Sequence, residues 1–233
     1  MSALTMTRHL ATAFTAMALI ASVGATSAQA QSKPRPRSVS ARPSPGIAIG
    51  GYGMFGRISF TAAESFDAIV GGPAGPIRGG GARIGLGLGG WFFDVGAWRF
   101  EGEGERVFVF GNEVIPLGIP VEVKVTPIEI SGGWQFRFRR LPKLIPYAAG
   151  GITSMYYRET SEFSTSLENT DAFFNGYHLL GGAEYKITRW LGVAGEAAWT
   201  TIPDAIGESG VSAAFNETDL GGTTFRFKIT IGR

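Results

Sequence analysis

The chain has 233 residues, 21 basic and 19 acidic side chains, a formal net charge of +2 and no cysteine. That balance implies no strongly charged face toward nucleic acid, and the missing cysteines exclude disulfides, thiol nucleophiles and thiolate metal sites. The 35 glycines beside 17 phenylalanines and five tryptophans argue against a helical core, because glycine weakens a helix interior by about 1 kcal/mol; they suit a narrow β-barrel, where glycine allows tight curvature and close backbone approach.

At the N-terminus, Arg8 and His9 precede an alanine-rich apolar run over 10–23, and Ala28-Gln29-Ala30 supplies a small-x-small cleavage pattern. The run is short of the ~20 strongly apolar residues that a spanning helix needs. Residues 1–30 are therefore predicted to be a signal peptide, cleaved after Ala30. Residues 31–45, with Lys33, Arg35, Arg37 and Arg42 among several prolines, cannot bury apolar surface and are predicted to be an extended linker. Its cations also suit an arm that touches anionic cell-wall or lipid groups.

From residue 46 the pattern becomes period-2 alternation broken by turn clusters, which predicts eight strands. The first, near 47–60, groups Tyr52, Met54, Ile58 and Phe60 against Gly53, Arg57 and Ser59. The second, near 80–88, sets Ala82, Ile84, Leu86 and Leu88 against Gly81, Arg83, Gly85 and Gly87. In the third, near 91–104, Trp91, Phe93 and Val95 are followed one step out of phase by Trp98 and Phe100, which predicts a β-bulge beside Gly96. The fourth, near 121–139, shifts in the same way after Pro127, from Val121, Val123 and Val125 to Ile128, Ile130, Trp134, Phe136 and Phe138. The fifth, near 144–158, is ambiguous in phase around Gly150 and Gly151. The sixth (174–187), seventh (190–202) and eighth (223–231) alternate cleanly, the last with Phe225, Phe227, Ile229 and Ile231 opposite Arg226, Lys228 and Thr230.

The predicted connections alternate in length. Long ones fall near 61–78, 105–120, 159–173 and 203–219, and short ones at Gly89-Gly90, 140–143 and Thr188-Arg189. This is the plan of a bacterial outer-membrane barrel. Eight strands close a lumen just wide enough for side chains, and all these aromatics turned inward would overfill it. The aromatic face is therefore predicted to meet lipid, with Trp91, Trp134, Tyr147, Tyr185, Trp190 and Trp199 as interfacial girdles. The predicted lumen then holds Arg57, Arg83, Arg99, Arg137, Lys186, Arg226 and Lys228 against Asp94, Glu101, Glu129, Glu184 and Glu196, charges that can offset one another.

The run over 181–197, with Glu184-Tyr185-Lys186-Ile187-Thr188 closing a glycine-rich strand, resembles a hairpin of the bacterial outer-membrane β-barrel family, the small OmpA- and OmpX-like proteins. Pro146-Tyr147-Ala148-Ala149-Gly150-Gly151 resembles the strand after the preceding turn. Gly222, Phe225 and Phe227 resemble the family's assembly signal, although this chain continues to Arg233 where such chains usually stop at the last aromatic. The resemblance covers 46–233. It implies an all-β, eight-stranded antiparallel up-and-down transmembrane barrel in the bacterial outer membrane, with outer-membrane lipids and the barrel assembly machinery as partners. It brings no cofactor and no catalytic residue.

His178 is the one histidine after residue 30. Near Glu184 and Glu196 it invites a relay or hydrolase reading, but a satisfied lumen histidine fits the pattern better. The glycine runs at 79–81 and 85–89 lack the strand-to-helix setting of a phosphate loop. The leading functional expectation is a non-enzymatic, structural or surface-exposed envelope barrel with a charge-filled narrow lumen. A narrow gated channel or carrier is the alternative, followed by a lipid-modifying enzyme and a soluble lipocalin-like carrier.

Overall fold

The computed structural model describes residues 46–87, 89–111, 113–161 and 170–232. The predicted signal peptide, the 31–45 linker and Leu88 lie outside the described residues. Eight strands, β1 (Ala48–Phe60), β2 (Ala74–Gly85), β3 (Trp91–Phe110), β4 (Glu113–Gln135), β5 (Leu144–Thr160), β6 (Thr170–Lys186), β7 (Leu191–Thr201) and β8 (Gly222–Gly232), pair in chain order. Every neighbour is antiparallel, and β8 returns to β1 from Gly50↔Gly232 to Phe60↔Gly222, closing the barrel. Closure pairs the backbone groups that an open sheet edge would leave free.

The short connections lie at one end of the barrel, between β2 and β3, β4 and β5, and β6 and β7. The opposite, long-loop end carries α1 (Ala63–Val70) after β1 and α2 (Gly210–Ala214) after β7. Glycine at the end of α1 adopts the left-handed conformation that stops a helix (Gly71, φ 72°). Its first turn is held from a distance, because the amides of Glu64 and Ser65 donate to the Glu217 carboxylate at 3.0 and 2.9 Å. The segment predicted as a loop over 105–120 is instead a ribbon: β3 and β4 stay paired out to Phe110↔Glu113, with one register shift between Glu105 and Val107.

Around the short-turn half, the outward side chains are apolar and exposed. They include Ile49, Ile84, Trp91, Phe93, Val95, Ile128, Ile130, Ile152, Leu179, Phe227, Ile229 and Ile231. Paired rings mark both margins of the band. Trp91 and Trp134 meet edge-on with centroids 5.1 Å apart at the short-turn margin, and Tyr177 and Trp199 do so at 6.3 Å near the other. An exposed apolar belt between aromatic girdles, on a wall without sheet edges, is the outer surface of a transmembrane barrel.

Toward the long-loop end the pattern reverses, and this corrects three sequence expectations. In β1, Met54, Ile58 and Phe60 are buried inside, whereas Arg57 is exposed on the outer wall. In β3 no bulge occurs at Gly96; the β2–β3 and β3–β4 registers run through it unbroken. Trp98 and Phe100 therefore point inward at 1% and 4% exposure, and Arg99 and Glu101 point out. In β4 no shift occurs at Pro127, so Val121, Val123 and Val125 face the interior, with Glu122 and Lys124 between them outside. The reason is the medium. Each strand keeps its pleat, but its outer face passes from lipid to water, and the side that must be apolar changes with it. The two reversals fall at one height, since Ala97 and Ile128 are register partners.

Gly96 has another role. It is the register partner of Gly81, and a Cβ built on either would sit 2.5 to 2.6 Å from the Tyr52 hydroxyl. The two glycines clear the space into which the Tyr52 ring projects.

Candidate functional site

Two kinds of interior occupy the barrel. The long-loop half is an apolar plug in which Phe60 stacks on Phe66 of α1 with centroids 3.7 Å apart, and Phe100 meets Phe60 edge-on at 5.0 Å. Ile58, Val123, Val125, Met155, Ile202 and Leu220 fill the remaining space. The short-turn half is ionic and is the candidate site.

At its centre Arg226 of β8 crosses to Glu129 of β4 with both terminal nitrogens, Nη2 to Oε1 at 2.5 Å and Nη1 to Oε2 at 2.6 Å. Its Nε donates to Thr224 at 2.9 Å, and Nη1 also reaches Glu196 at 3.4 Å. Trp98 Nε1 donates to Glu129 at 2.9 Å, so this ring ties the apolar plug to the ionic layer. Below, Glu196 accepts from Lys228 at 2.7 Å and from the Tyr147 hydroxyl at 2.9 Å. Asp94 accepts from Tyr52 at 2.6 Å and from Arg83 Nε at 2.8 Å. At the short-turn mouth, Glu184 pairs with Lys186 at 2.8 Å and accepts from Thr230 at 2.7 Å. Buried ions are tolerated where their hydrogen-bonding capacity is met in this way.

Of the residues predicted to share the lumen, the structure brings together Arg83, Asp94, Glu129, Glu184, Lys186, Glu196, Arg226 and Lys228. It places four elsewhere. Arg57, Arg99 and Glu101 lie on the outer wall, where Glu101 joins Arg99 at 3.1 Å and Arg78 at 3.1 Å. Arg137 is exposed in the turn after β4, which ends at Gln135. With these removed, the predicted set leaves four acids and four bases inside. Tyr147, predicted for a girdle, points inward at 3% exposure. Gly222 and Phe225 lie in β8, with Phe225 and Phe227 on the outer face.

Sequence reasoning passed over Tyr52, Trp98 and the surroundings of His178. The phase of Tyr52 was readable, but only the paired glycines that receive it reveal its depth. His178 has Ser131 Oγ and Thr153 Oγ1 each 2.8 Å from a ring nitrogen, and all three side chains are buried. Ser131 and His178 adjoin like a nucleophile and its base, yet a hydroxyl rather than a carboxylate holds the second nitrogen. The imidazole has its hydrogen bonds satisfied. Among the described residues no group of three or more His, Asp or Glu is placed to hold a metal ion.

No protein-family model and no curated protein sequence matches the chain. Among solved structures it is similar to Neisserial surface protein A (12% identity, TM-score 0.47), over 79% of this chain and 96% of that one. A major outer membrane protein of Thermus thermophilus aligns at 11% identity and TM-score 0.48, over 81% and 100% of the two chains. The attachment invasion locus protein Ail of Yersinia pestis aligns at 9% identity and TM-score 0.47, over 81% and 98%. These are outer-membrane barrels. Values this low transfer no residue's role, and the architecture rests on this chain's own strand pairing.

Proposed function

We propose that this chain is an integral protein of the bacterial outer membrane, a non-catalytic structural component that presents its long-loop end at the cell surface and its short turns to the periplasm. The apolar belt between ring girdles supports the membrane position, and short periplasmic turns with long outer loops support the orientation. The observation that carries the functional reading is the filled interior. Phe60, Phe66, Phe100, Val125, Met155 and Leu220 occupy one half of the lumen, and the Arg226–Glu129 pair bars the other. A barrel so packed contributes wall and surface rather than flow. Gly222, Phe225 and Phe227 serve in this reading as the signal taken by the assembly machinery, and residues 1–30 as the export signal.

Fractionation tests the location: the chain should sediment with outer membranes, resist extraction without detergent and migrate faster on gels before heating than after. Release without detergent would overturn it. Reconstitution in planar bilayers tests the closed lumen. No steady conductance is expected, and reproducible single-channel steps abolished by Arg83→Ala or Glu184→Ala would establish the channel instead.

A further inference from the structure

Below the Arg226–Glu129 bridge the barrel opens, at its short-turn end, into a vestibule of about 780 Å³. It is a dead end, because the Arg226–Glu129 bridge and the apolar plug lie above it. Its wall is unevenly charged. Arg83, Arg137, Lys186, Arg189 and Lys228 line it, and Glu184 is the one acid that does so among the described residues. Arg83, Lys186 and Lys228 are paired with Asp94, Glu184 and Glu196, so the surplus charge belongs to Arg137 and Arg189 at the rim, where it favours anions entering the concave mouth.

Among these cations Arg83 is held by the protein on several sides. Its guanidinium carbon sits 4.4 Å from the Phe92 ring centroid and 4.5 Å from that of Tyr147, wedged between two rings that stand at 88° to each other. Asp94 takes its Nε at 2.8 Å, and the Tyr147 hydroxyl lies beside the guanidinium. An arginine carries five N–H donors, and among the described residues the terminal nitrogens of this one meet no second carboxylate. Arg226, one layer deeper, has Nε, Nη1 and Nη2 all engaged. Thus two lumen arginines differ in kind. One is engaged at all three nitrogens by carboxylates and Thr224, whereas the terminal N–H groups of the other have only the Tyr147 hydroxyl beside them at the cavity wall. Two parallel N–H groups match a carboxylate or a phosphate, and the cavity volume falls in the range of small-molecule sites.

We propose that the vestibule is a binding site for a small oxyanion-bearing compound, whose carboxylate or phosphate group docks on the Arg83 fork. Arg137, Arg189 and Lys186 draw the anion in at the rim. That this mouth is periplasmic rests on the function proposed above; the site itself rests on the cavity and the arginine.

The test uses the full chain folded in an uncharged detergent, with arginine side-chain 15N resonances followed by NMR. Inorganic phosphate and succinate are titrated separately at constant ionic strength, with chloride as the reference. The Arg83 Nε resonance should move saturably with one or both oxyanions, which identifies the preferred group, and should not respond to chloride. Arg83→Lys keeps the charge and the room but lacks the fork, and should weaken binding about tenfold. Arg83→Gln should abolish it, provided gel mobility shows a folded barrel. Arg137→Gln combined with Arg189→Gln should weaken binding less and flatten its salt dependence. An unsaturable shift, an equal response to chloride, or undiminished affinity in Arg83→Lys would overturn the proposal. Each result is read in detergent, so it stands apart from whether the chain sediments with outer membranes.

Discussion

The two halves of this barrel follow opposite rules on one continuous set of strands. In the short-turn half, rings and aliphatic side chains face outward while four acids and four bases face in. In the long-loop half Val121, Val123 and Val125 of β4, with Trp98 and Phe100, face in, and Arg57, Arg99, Glu101, Glu122 and Lys124 face out. The lower half is a membrane barrel, and the upper half is built like a soluble one. What separates them is the solvent on the outer wall, and the side chains record where it changes.

That contrast predicts effects of different size at neighbouring positions, each readable as a shift in denaturant-unfolding midpoint in detergent or liposomes. The largest belongs to the ionic half. Glu129→Ala strands the Arg226 guanidinium and should cost about 3–5 kcal/mol, with much of the loss recovered when Arg226→Met is added. On the outer wall inside the belt, Val95→Arg should cost about 2–4 kcal/mol in liposomes. Glu103→Arg, farther out on the same strand and exposed, should cost almost nothing; equal penalties at both sites would erase the boundary drawn here. In the apolar half, Val123→Ala should cost about 2 kcal/mol for its lost methyl groups and the small cavity. Smallest among the losses of a contact is Glu101→Ala, whose ion pairs with Arg78 and Arg99 are solvent-exposed and contribute at most about 1 kcal/mol.

The same contrast explains how much was legible in the sequence. Eight strands, their neighbour order and the inward ions of β6, β7 and β8 follow from alternation, because those strands keep one rule over most of their length. The places where β3 and β4 change rule look, in a string of letters, like an inserted residue at Gly96 and a slip at Pro127. Alternation reports that the two faces differ without reporting what lies beyond each, so a change of medium mimics a change of register. For that reason the pattern alone puts Arg57, Arg99 and Glu101 in the lumen. On sequence alone Arg137 falls in the lumen because alternation runs on through Phe136 and Phe138, past the end of β4 at Gln135. Nor could the sequence show that Glu129 meets Arg226, 97 positions away, while Arg83 pairs with Asp94 at the wall of the vestibule.

That long-range pair has a mechanical meaning. β4 and β8 stand half a circuit apart in the ring of eight, so the two-pronged contact between them spans the tube like a tie rod across a pipe. A thin cylinder squeezed from the side yields first by flattening, and flattening this one along or across that diameter would compress or tear the rod. The bilayer can press on the wall, but the cross-section is pinned round from within.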